Sequence, residues 1–327
     1  MTLFSRRRRH AHWSSVSESG SLAGIRLMVA VYDRLGGRVF QALLFWVTLY
    51  YWLRRPLARR ASRTYQRRLR AFCPQVALPR AAVLAHFQSF GTALLERILA
   101  LHGRLDMSRI VIEDRPALHQ AIASGRGGLI VVTHLGSHEI CQLLGQWRQG
   151  LGMSLVMHSH NAQRFNSLFD SIDRPLDVEL IEVSDMGPAT AQRLKARIEA
   201  GGFVVIAADR EPIERSGRRR SLSFLGSPAD FPEGAFWLAM LLRCPLYLLI
   251  CARHRGRHHV HFEALGDASQ LERREREAWL ADHMARFVRR LEHFCCRYPL
   301  QWFNFYPFWQ SECQSSEPSG PHRSTRS

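Results

Sequence analysis

The sequence predicts an α/β fold with a mostly parallel central sheet that is covered by helices on both faces. From Ile110 onward, short apolar segments rich in β-branched residues alternate with longer helical segments. This is the pattern of parallel strands connected by helices. Residues 22–105 lack this alternation and contain long apolar and arginine-rich stretches instead. An N-terminal, membrane-associated helical region is therefore expected before the α/β part.

Four parts are expected along the chain. Residues 1–21 form a polar, basic arm with the run Arg6–Arg9, and this composition predicts disorder. Residues 22–105 form the helical region, and residues 106–310 form the α/β domain that carries the sheet. Residues 311–327 are rich in serine and proline and are also expected to be disordered. The arm does not have the apolar segment and small-residue cleavage site of a signal peptide.

Residues 22–53 predict one long helix, or two helices joined near Gly36–Gly37. The second part, Val39–Leu53, is almost wholly apolar, ends in aromatic residues and has arginines on both sides. Its length corresponds to about 22 Å of helix, which is shorter than the ~30 Å hydrocarbon core of a bilayer. We therefore expect a helix that lies in the membrane interface rather than one that spans it. A buried core helix is the alternative.

Two more helices are expected before the sheet begins. Pro56–Arg70 is rich in arginine, and Arg80–His102 has an apolar stripe at helical spacing, which is typical of a core-facing helix. Strands are then predicted at residues 110–113, 129–133, 154–157, 178–183, 203–207, 246–252 and 258–264. Helices are predicted near residues 116–124, 138–149, 160–172, 188–200 and 233–243, and a charged helix over residues 271–297 closes the fold.

The charge and the cysteines restrict the partners and the compartment. The formal net charge is +17, and Lys195 is the single lysine among 45 basic residues. Such a surface favours acidic partners, namely nucleic acid, anionic lipid or an acidic carrier protein. The seven cysteines show no C-x2-C spacing, and adjacent Cys295 and Cys296 are too constrained to form an ordinary bridge with each other. Reduced thiols in a cytosol-facing protein are therefore expected.

The most informative stretch is Gly127–Gln142, a buried strand followed by a turn and a helix start. It places His134 at the carboxyl end of a central strand, where open α/β sheets bind their ligands. Glu139 falls in the first turn of the next helix. A short loop between them would set the carboxylate against the imidazole, which is the arrangement of a general base with its orienting group. The alternative is a structural histidine followed by a favourable first-turn acid.

The spacing H-x4-[DE] is weak evidence by itself. With 16 histidines and 28 acidic residues in the chain, it is expected by chance about once. His258 and Glu263 also fit it, but they lie in one alternating strand pattern in which no turn brings them together. Only His134 has the strand–turn–helix context.

Polar residues follow two other predicted strands at the same sheet edge. Asn161 and Arg164 come after one strand, and Asp209 and Arg210 come after another. We interpret these four as residues that bind substrate or stabilise an oxyanion, with Arg210 facing the anion. A structural Asp–Arg pair is the alternative for the second pair. His158 and His160 lack a third ligand at a usual zinc spacing, so no metal site is expected.

An apolar acyl groove is the hypothesis for the stretch Ser223–Ala239, which the sequence predicts to be a Gly/Pro loop leading into a helix. Phe231, Phe236 and Trp237 are its candidate lining residues, and simple packing under the sheet is the alternative. The aromatic segment Gln301–Trp309 is expected to close the groove or to contact the bilayer interface.

Several of these segments, in this order, resemble the bacterial lipid A biosynthesis acyltransferases of the lauroyl/myristoyl type, within the lysophospholipid acyltransferase superfamily. The similar blocks are H-x4-E after a buried strand, the turn bearing Asn161 and Arg164, ADR after a third strand, and FLG-x-x-A-x-F-P-x-G-x-F-x-L-A. The apolar N-terminal helix and the closing QWFNFY-x-FW are similar as well. The resemblance covers most of residues 22–310, as in a divergent branch of the family, and ordered blocks are far more specific than H-x4-E alone.

The resemblance implies an O-acyltransferase. In it His134 deprotonates an acceptor hydroxyl, Glu139 orients the ring, and the hydroxyl attacks an acyl thioester. It further implies an enzyme on the cytoplasmic face of the cell inner membrane, supplied by acyl carrier protein or coenzyme A. The acceptor would be a lipid, as in lipopolysaccharide synthesis. No cofactor, metal or nucleic-acid partner is expected.

Two departures from the family pattern concern the acceptor. Phe231–Gly234 spells FPEG, which is similar to the acceptor-phosphate block of glycerolipid acyltransferases. There the block directly follows a strand, whereas here a Gly/Pro loop is predicted, so we assign it no phosphate role. Asp209–Arg210 differs from the aspartate-polar pattern of lipid A enzymes, which leaves the identity of the acceptor open.

Two other functions are compatible with the sequence. A serine hydrolase would use Ser137 at the strand–helix turn, but the surroundings do not match the G-x-S-x-G elbow. A non-catalytic protein that binds lipid or nucleic acid through charge would show steeply salt-dependent affinity. Only the acyltransferase and the hydrolase require catalytic side chains, and they require different ones.

Overall fold

The computed structural model of the protein describes residues 22–101, 104–113, 115–137, 152–157, 178–210 and 217–309. The helices are α1 (Leu22–Arg54), α2 (Pro56–Phe72), α3 (Ala82–Leu101), α4 (Arg115–Ala123), α5 (Pro188–Glu199), α6 (Gly234–Leu242) and α7 (Arg276–Arg297). The strands are β1 (Ile110–Ile112), β2 (Gly128–Gly136), β3 (Met153–Met157), β4 (Val178–Glu182), β5 (Phe203–Ala207), β6 (Arg219–Phe224), β7 (Ser227–Pro232), β8 (Pro245–His254) and β9 (Arg257–Asp267).

Seven strands form one mixed but mostly parallel sheet in the order β1-β9-β8-β2-β5-β3-β4. Only the β8–β9 hairpin is antiparallel, and all other neighbours run parallel. Strand β2 lies between β8 and β5, so it is buried on both faces. Leu129 and Val131 pack into the larger core cluster, whereas Ile130 and Val132 pack into a second cluster. This is why its sequence is a continuous apolar run rather than an alternating one.

The predicted strands of this sheet are all present, within a few residues of their expected ends. Strands β6 and β7 were missed, because residues 223–239 were interpreted as a loop before a helix. They form a separate antiparallel hairpin, with Leu225 and Gly226 at φ +50° and +75° in its two-residue turn. The predicted helices near 138–149 and 160–172, the arm and the tail lie outside the described residues.

Helix α1 contains a break, as one of the two predicted alternatives requires. Gly36 has φ 77° and ψ 168° inside the span, a conformation that favours glycine. Beyond the break α1 packs on α3, where a Cβ on Gly91 would come within 2.7 Å of the Thr48 side chain. Phe40 and Leu44 are buried against Leu95 and Leu99 of α3.

The opposite face of α1 leaves large apolar side chains exposed. These are Leu35, Val39, Leu43, Phe45, Trp46, Tyr50 and Leu53. In the described part of the chain no helix combines the length and the hydropathy that crossing a bilayer requires. One face of α1 therefore packs in the core against α3, and the other face is an exposed apolar surface.

The expectation of reduced thiols is wrong for two cysteines. Cys73, just after α2, forms a disulfide with Cys296 near the end of α7, and the two positions are 223 residues apart. Cys244, Cys251 and Cys295 are buried, and Cys244 and Cys295 are free thiols. Sequence spacing could not show this pairing, because it depends on how the N-terminal helices pack on the last helix.

Candidate active site

His134 lies near the carboxyl end of β2, where the strand departs from regular pairing. Between Val132 and Gly136 the strand advances four residues, while its neighbour β8 advances only two, from Leu249 to Cys251. Bulges of this kind redirect side chains and are frequent next to active sites. Thr133 and Leu135 are buried, whereas the His134 side chain is 25% exposed.

Gly136 ends the bulge in a conformation that other residues rarely adopt. Its φ is +73°, and a Cβ there would lie 1.9 Å from the carbonyl oxygen of Cys251. A side chain would push β2 away from β8 at this point. Both the positive φ and the close approach of the β2 and β8 backbones therefore require glycine at position 136.

The carboxylate that contacts the imidazole is Asp209. It follows β5, the parallel neighbour of β2, and the backbone N–H of Ala208 bonds the carbonyl of Val132 at 3.0 Å. Asp209 Oδ1 lies 2.7 Å from His134 Nδ1, and its Oδ2 accepts from the His134 backbone N–H at 2.8 Å. The two residues are therefore joined through both side chain and main chain.

A third donor completes the surroundings of this carboxylate. The indole N–H of Trp302 donates to Asp209 Oδ2 at 3.0 Å, and the Asp209 side chain is fully buried. Burial by itself raises the pKa of Asp209, but the facing charge and hydrogen bonds of His134 and the charge of Arg210 outweigh it, so the pKa falls to about 2. Asp209 is therefore ionised at neutral pH and holds the Nδ1 proton of His134.

The C-terminal segment Gln301–Asn304 fixes the same strand end from the other side. Gly136 N–H donates to the carbonyl of Gln301 at 2.8 Å, and Phe303 N–H donates to the carbonyl of His134 at 2.9 Å. Trp302 was noted in the sequence only as part of an aromatic closing segment. No local pattern indicates its bond to a carboxylate 93 residues away.

Arg210 stands beside this arrangement. Its Nη2 donates to the carbonyl of Phe303 at 2.6 Å, and its guanidinium lies 5.8 Å from the centre of the Tyr306 ring. Phe303 in turn bonds the carbonyl of His134. The Arg210 guanidinium therefore bonds the carbonyl of Phe303, the residue whose N–H bonds the carbonyl of His134.

The other predicted site residues fall into two groups. Glu139, Asn161 and Arg164 lie outside the described residues, so their roles stay predictions. Phe231 and Phe236 are fully buried in the larger core, where both contact the Phe287 ring. Their observed surroundings are those of core packing, which was the alternative to a groove.

Trp237 and the FPEG block also have structural partners. Trp237 Nε1 donates to Glu233 at 3.0 Å, and the guanidinium of Arg218 lies 5.0 Å from its ring centre. Glu233 is also bonded to Arg220 at 3.1 Å. The prediction that FPEG sits in a loop is wrong, because Phe231 and Pro232 end strand β7. The reason is the missed hairpin, in which Phe231 and Pro232 pair with Arg220 and Arg219 of β6.

The second H-x4-E match is separated in space, as its single-strand pattern predicts. His258 Nε2 lies 3.8 Å from Glu96 of α3, whereas Glu263 is bonded to Arg290 of α7. Ser137, the candidate nucleophile of a hydrolase, is 5% exposed. Among the described residues no cluster of three or more His, Cys, Asp or Glu side chains suits a metal ion, and His158 and His160 lie outside them.

Comparisons with known proteins relate most of the chain to one family. No curated protein matches the chain. The model of the family described as bacterial lipid A biosynthesis acyltransferase matches residues 52–311. That range is well over half of the chain and contains α2, the complete sheet, the His134–Asp209 pair and the closing aromatic segment. The chain therefore belongs to the family of bacterial lipid A biosynthesis acyltransferases.

Proposed function

We propose that this protein moves a fatty acyl group from an acyl thioester to a hydroxyl of a lipid acceptor. The family makes acyl transfer on lipid substrates the class of activity. The observation that carries the finer proposal is the His134–Asp209 contact at the end of the central strand. A partly exposed imidazole with a buried, ionised carboxylate on Nδ1 has the arrangement of a general base.

The proposed reaction has two halves. With its Nδ1 proton held by Asp209, His134 accepts the hydroxyl proton on Nε2 while the hydroxyl oxygen attacks the thioester carbonyl. The tetrahedral intermediate then collapses, the C–S bond breaks, and the imidazolium returns the proton to the leaving thiolate. The products are an ester and a free thiol. Asp209 stabilises the imidazolium between the two steps.

Arg210 is our candidate for the oxyanion of that intermediate. Its guanidinium is fixed by the Phe303 carbonyl next to the His134 backbone, and a preorganised cation near developing negative charge lowers the barrier. Asn161 and Arg164 are proposed to bind substrate at the same edge. Glu139 is proposed as a second acidic group that supports His134, in addition to Asp209.

The alternatives explain fewer of the contacts. A hydrolase needs an accessible nucleophile, whereas Ser137 is buried. A binding protein that acts through charge alone gives no reason for a buried carboxylate with three donors, since burying an ion is costly without full compensation. A protein that binds through charge alone predicts that changing His134 leaves the function intact. A serine hydrolase predicts a smaller effect from changing His134 than from changing Ser137.

The donor and the acceptor are proposals drawn from charge and family. The excess of basic residues suits an acidic acyl carrier protein or the phosphates of coenzyme A. Lipid mass spectrometry of cells with the wild-type protein, with His134→Ala and without the protein tests the function. We expect one lipid class to gain an acyl chain only with the wild-type protein. Identical lipid profiles in all three would contradict the proposal.

We further propose that α1 attaches the enzyme to the inner membrane, on its cytoplasmic face. The exposed face of α1 carries apolar and aromatic side chains, and Arg54, Arg55 and Arg59 follow it. Aromatic rings flanked by arginines suit an anionic interface. Disulfides are rare in the cytosol, so the proposed face predicts that Cys73 and Cys296, which are bonded in the structure, are reduced in cells. Thiol labelling in intact cells would therefore be the direct check of topology.

Substitution of exposed α1 residues should weaken membrane binding without unfolding the protein. Trp46 and Tyr50 are 65% and 54% exposed, so the double change to serine removes apolar contact with lipid and little internal packing. Partitioning onto anionic vesicles should fall roughly tenfold or more. Vesicle sedimentation with an unchanged Tm is the measurement, and Gln41→Ser is the control. Unaltered partitioning of the double variant would contradict attachment through this face.

Surface substitution is a sharper test than truncation. Removing residues 1–55 would also remove Phe40 and Leu44, which cover Leu95 and Leu99 of α3. A truncated protein would therefore expose a new apolar patch and tend to associate for that reason. The full chain should consequently be retained in the vesicle experiment.

A further inference from the structure

A polar pocket lies on the sheet edge that carries His134. It has a volume of about 400 Å³ and opens between α3, the end of β8 and the end of α7. We call it the Arg253–Arg297 pocket. Its polar lining includes Gln88, Ser89, Arg253, His254, Arg297 and Gln301. Nothing in the proposed acyl-transfer chemistry uses these side chains.

The pocket is cationic. Arg297 is exposed and stacks on the Tyr298 ring at 5.5 Å, and within the described ranges no carboxylate lies at ion-pair distance from it. Arg253 lies 3.7 Å from Glu96. Burial raises the pKa of Glu96 to about 7, although Arg253 and Arg109 act to lower it. Glu96 is therefore only partly ionised near neutral pH and offsets the Arg253 charge incompletely.

The wall of the pocket is rigid where Arg253 stands. Gln301 Oε1 accepts from the Arg253 backbone N–H at 2.8 Å, and Gln301 Nε2 donates to the Arg253 carbonyl at 2.6 Å. This pair of bonds ties the end of β8 to the C-terminal segment. An arginine on a fixed backbone recognises an anion with less loss of entropy than one on a loop.

The same segment connects the pocket to the catalytic strand. The carbonyl of Gln301 accepts from Gly136, two residues after His134, and Gly136 also pairs with Cys251 of β8. Arg253 is two residues further along β8. From strand spacing and rise, the pocket wall lies on the order of 10 Å from the His134 backbone. An anion in the pocket would thus sit close to, but not on, the reacting atoms.

We propose that the Arg253–Arg297 pocket binds a phosphate group of the lipid acceptor. The inference rests on the proposed function and names a chemical feature of its acceptor. Arginines bind phosphate through paired, charge-assisted hydrogen bonds, and the Gln88 and Ser89 side chains of the lining add neutral donors. The short separation from His134 favours the acceptor. In a phospholipid only a few bonds separate phosphate and hydroxyl, whereas a pantetheine arm places its phosphate far from the thioester.

The position of α3 supports a lipid source for the phosphate. Gln88 and Ser89 line the pocket, and Gly91 in the next part of the same helix packs against α1. Helix α3 therefore lies between the pocket and the helix whose outer face is apolar. A lipid held at that face could place its phosphate in the pocket while its chains stay in an apolar environment.

The test is a binding experiment that requires no turnover. Full-length protein in detergent is titrated calorimetrically with dihexanoyl phosphatidic acid and with dihexanoylglycerol, which lacks the phosphate. The wild-type protein should prefer the phosphate lipid, and Arg297→Gln should weaken that binding about tenfold or more. Arg289→Gln, an exposed arginine on the same helix, is the matched control and should bind as the wild type does.

Each outcome has a distinct meaning. The proposal that the Arg253–Arg297 pocket binds a lipid phosphate would be overturned by equal affinity for the two lipids, or by an Arg297→Gln affinity equal to that of the wild type. If Arg297→Gln weakens coenzyme A binding and leaves phosphatidic acid binding unchanged, the phosphate belongs to the donor and the acceptor assignment is wrong. If phosphatidic acid binding depends on Arg297 but no acyl group is ever transferred, the proposed function fails and the pocket stands. His134→Ala should retain phosphatidic acid binding in every case.

Discussion

Replacing His134 with alanine should lower kcat by about 10²–10⁴-fold, the usual contribution of a general acid–base group. The side chain is partly exposed, and its Nδ1 lies 2.7 Å from Asp209 Oδ1, so the change to alanine removes little apolar packing from the core. The Tm should fall, because the buried Asp209 carboxylate loses the imidazole that faces it, but the protein should still unfold in a cooperative transition. Acyl transfer followed by lipid mass spectrometry, together with calorimetric unfolding, measures both effects on one preparation.

Ser137→Ala is the matched control for that experiment. Ser137 is three residues away on the same strand end and would be the nucleophile of a hydrolase. It should retain nearly the full rate of acyl transfer if His134 is the general base. The assignment is wrong if the His134→Ala protein is folded and transfers acyl groups at close to the wild-type rate.

Asp209→Asn should lose both activity and stability. The amide keeps the shape but not the charge, and its nitrogen cannot accept the hydrogen bonds that Oδ1 and Oδ2 now receive from His134 and Trp302. We expect kcat to fall by about 10²-fold or more. The free energy of unfolding should fall by about 1–3 kcal/mol, the cost of leaving buried donors unsatisfied.

The stability difference between wild type and Asp209→Asn should depend on pH. The folded-state pKa of Asp209 is about 2, below the unfolded value of about 3.9. Its contribution is therefore present in full above pH 4 and is lost as the pH falls through the range from about 4 to 2. Denaturant unfolding at a series of pH values should show the two proteins converging there. A constant difference down to pH 2 would contradict the ionised pair.

Combining the two substitutions gives a test of the pair itself. If Asp209 acts through His134, the double variant should lose much less activity than the product of the two single losses. Fully multiplicative losses would show that the two residues act independently. The same comparison with Glu139→Gln would show whether this second carboxylate belongs to the same unit.

The position of His134, the proposed general base, could be predicted because its signal is local. An apolar run, a glycine and a helix start are enough to place His134 at a strand end, and parallel strands bring Asp209 to the same edge. The partner of the imidazole depends on the register between β2 and β5 and on the bulge after Val132. Neither feature has a local pattern, so proximity in sequence favoured Glu139.

The missed hairpin has a different cause. Strand β6 is mostly exposed along its length, with only Phe224 fully buried, so it lacks a continuous apolar run. The apolar residues of β7, Ala229 and Phe231, are flanked by prolines, which demote a strand prediction. The pairing is stabilised instead by tertiary packing, in which Phe224 lies between Trp302 and Trp309.

The Cys73–Cys296 bond turns most of the enzyme into a covalent ring. His134 and Asp209 lie inside the ring. Trp302 and Phe303 lie outside it, six and seven residues after Cys296. A protease that cuts the backbone once between the two cysteines linearises the ring but releases no fragment. Both members of the His134–Asp209 pair stay tethered to each other, and the tail stays attached at the sulfur bridge. Because the disulfide still joins the two fragments of such a nicked chain, each fragment remains at a high effective concentration relative to the other.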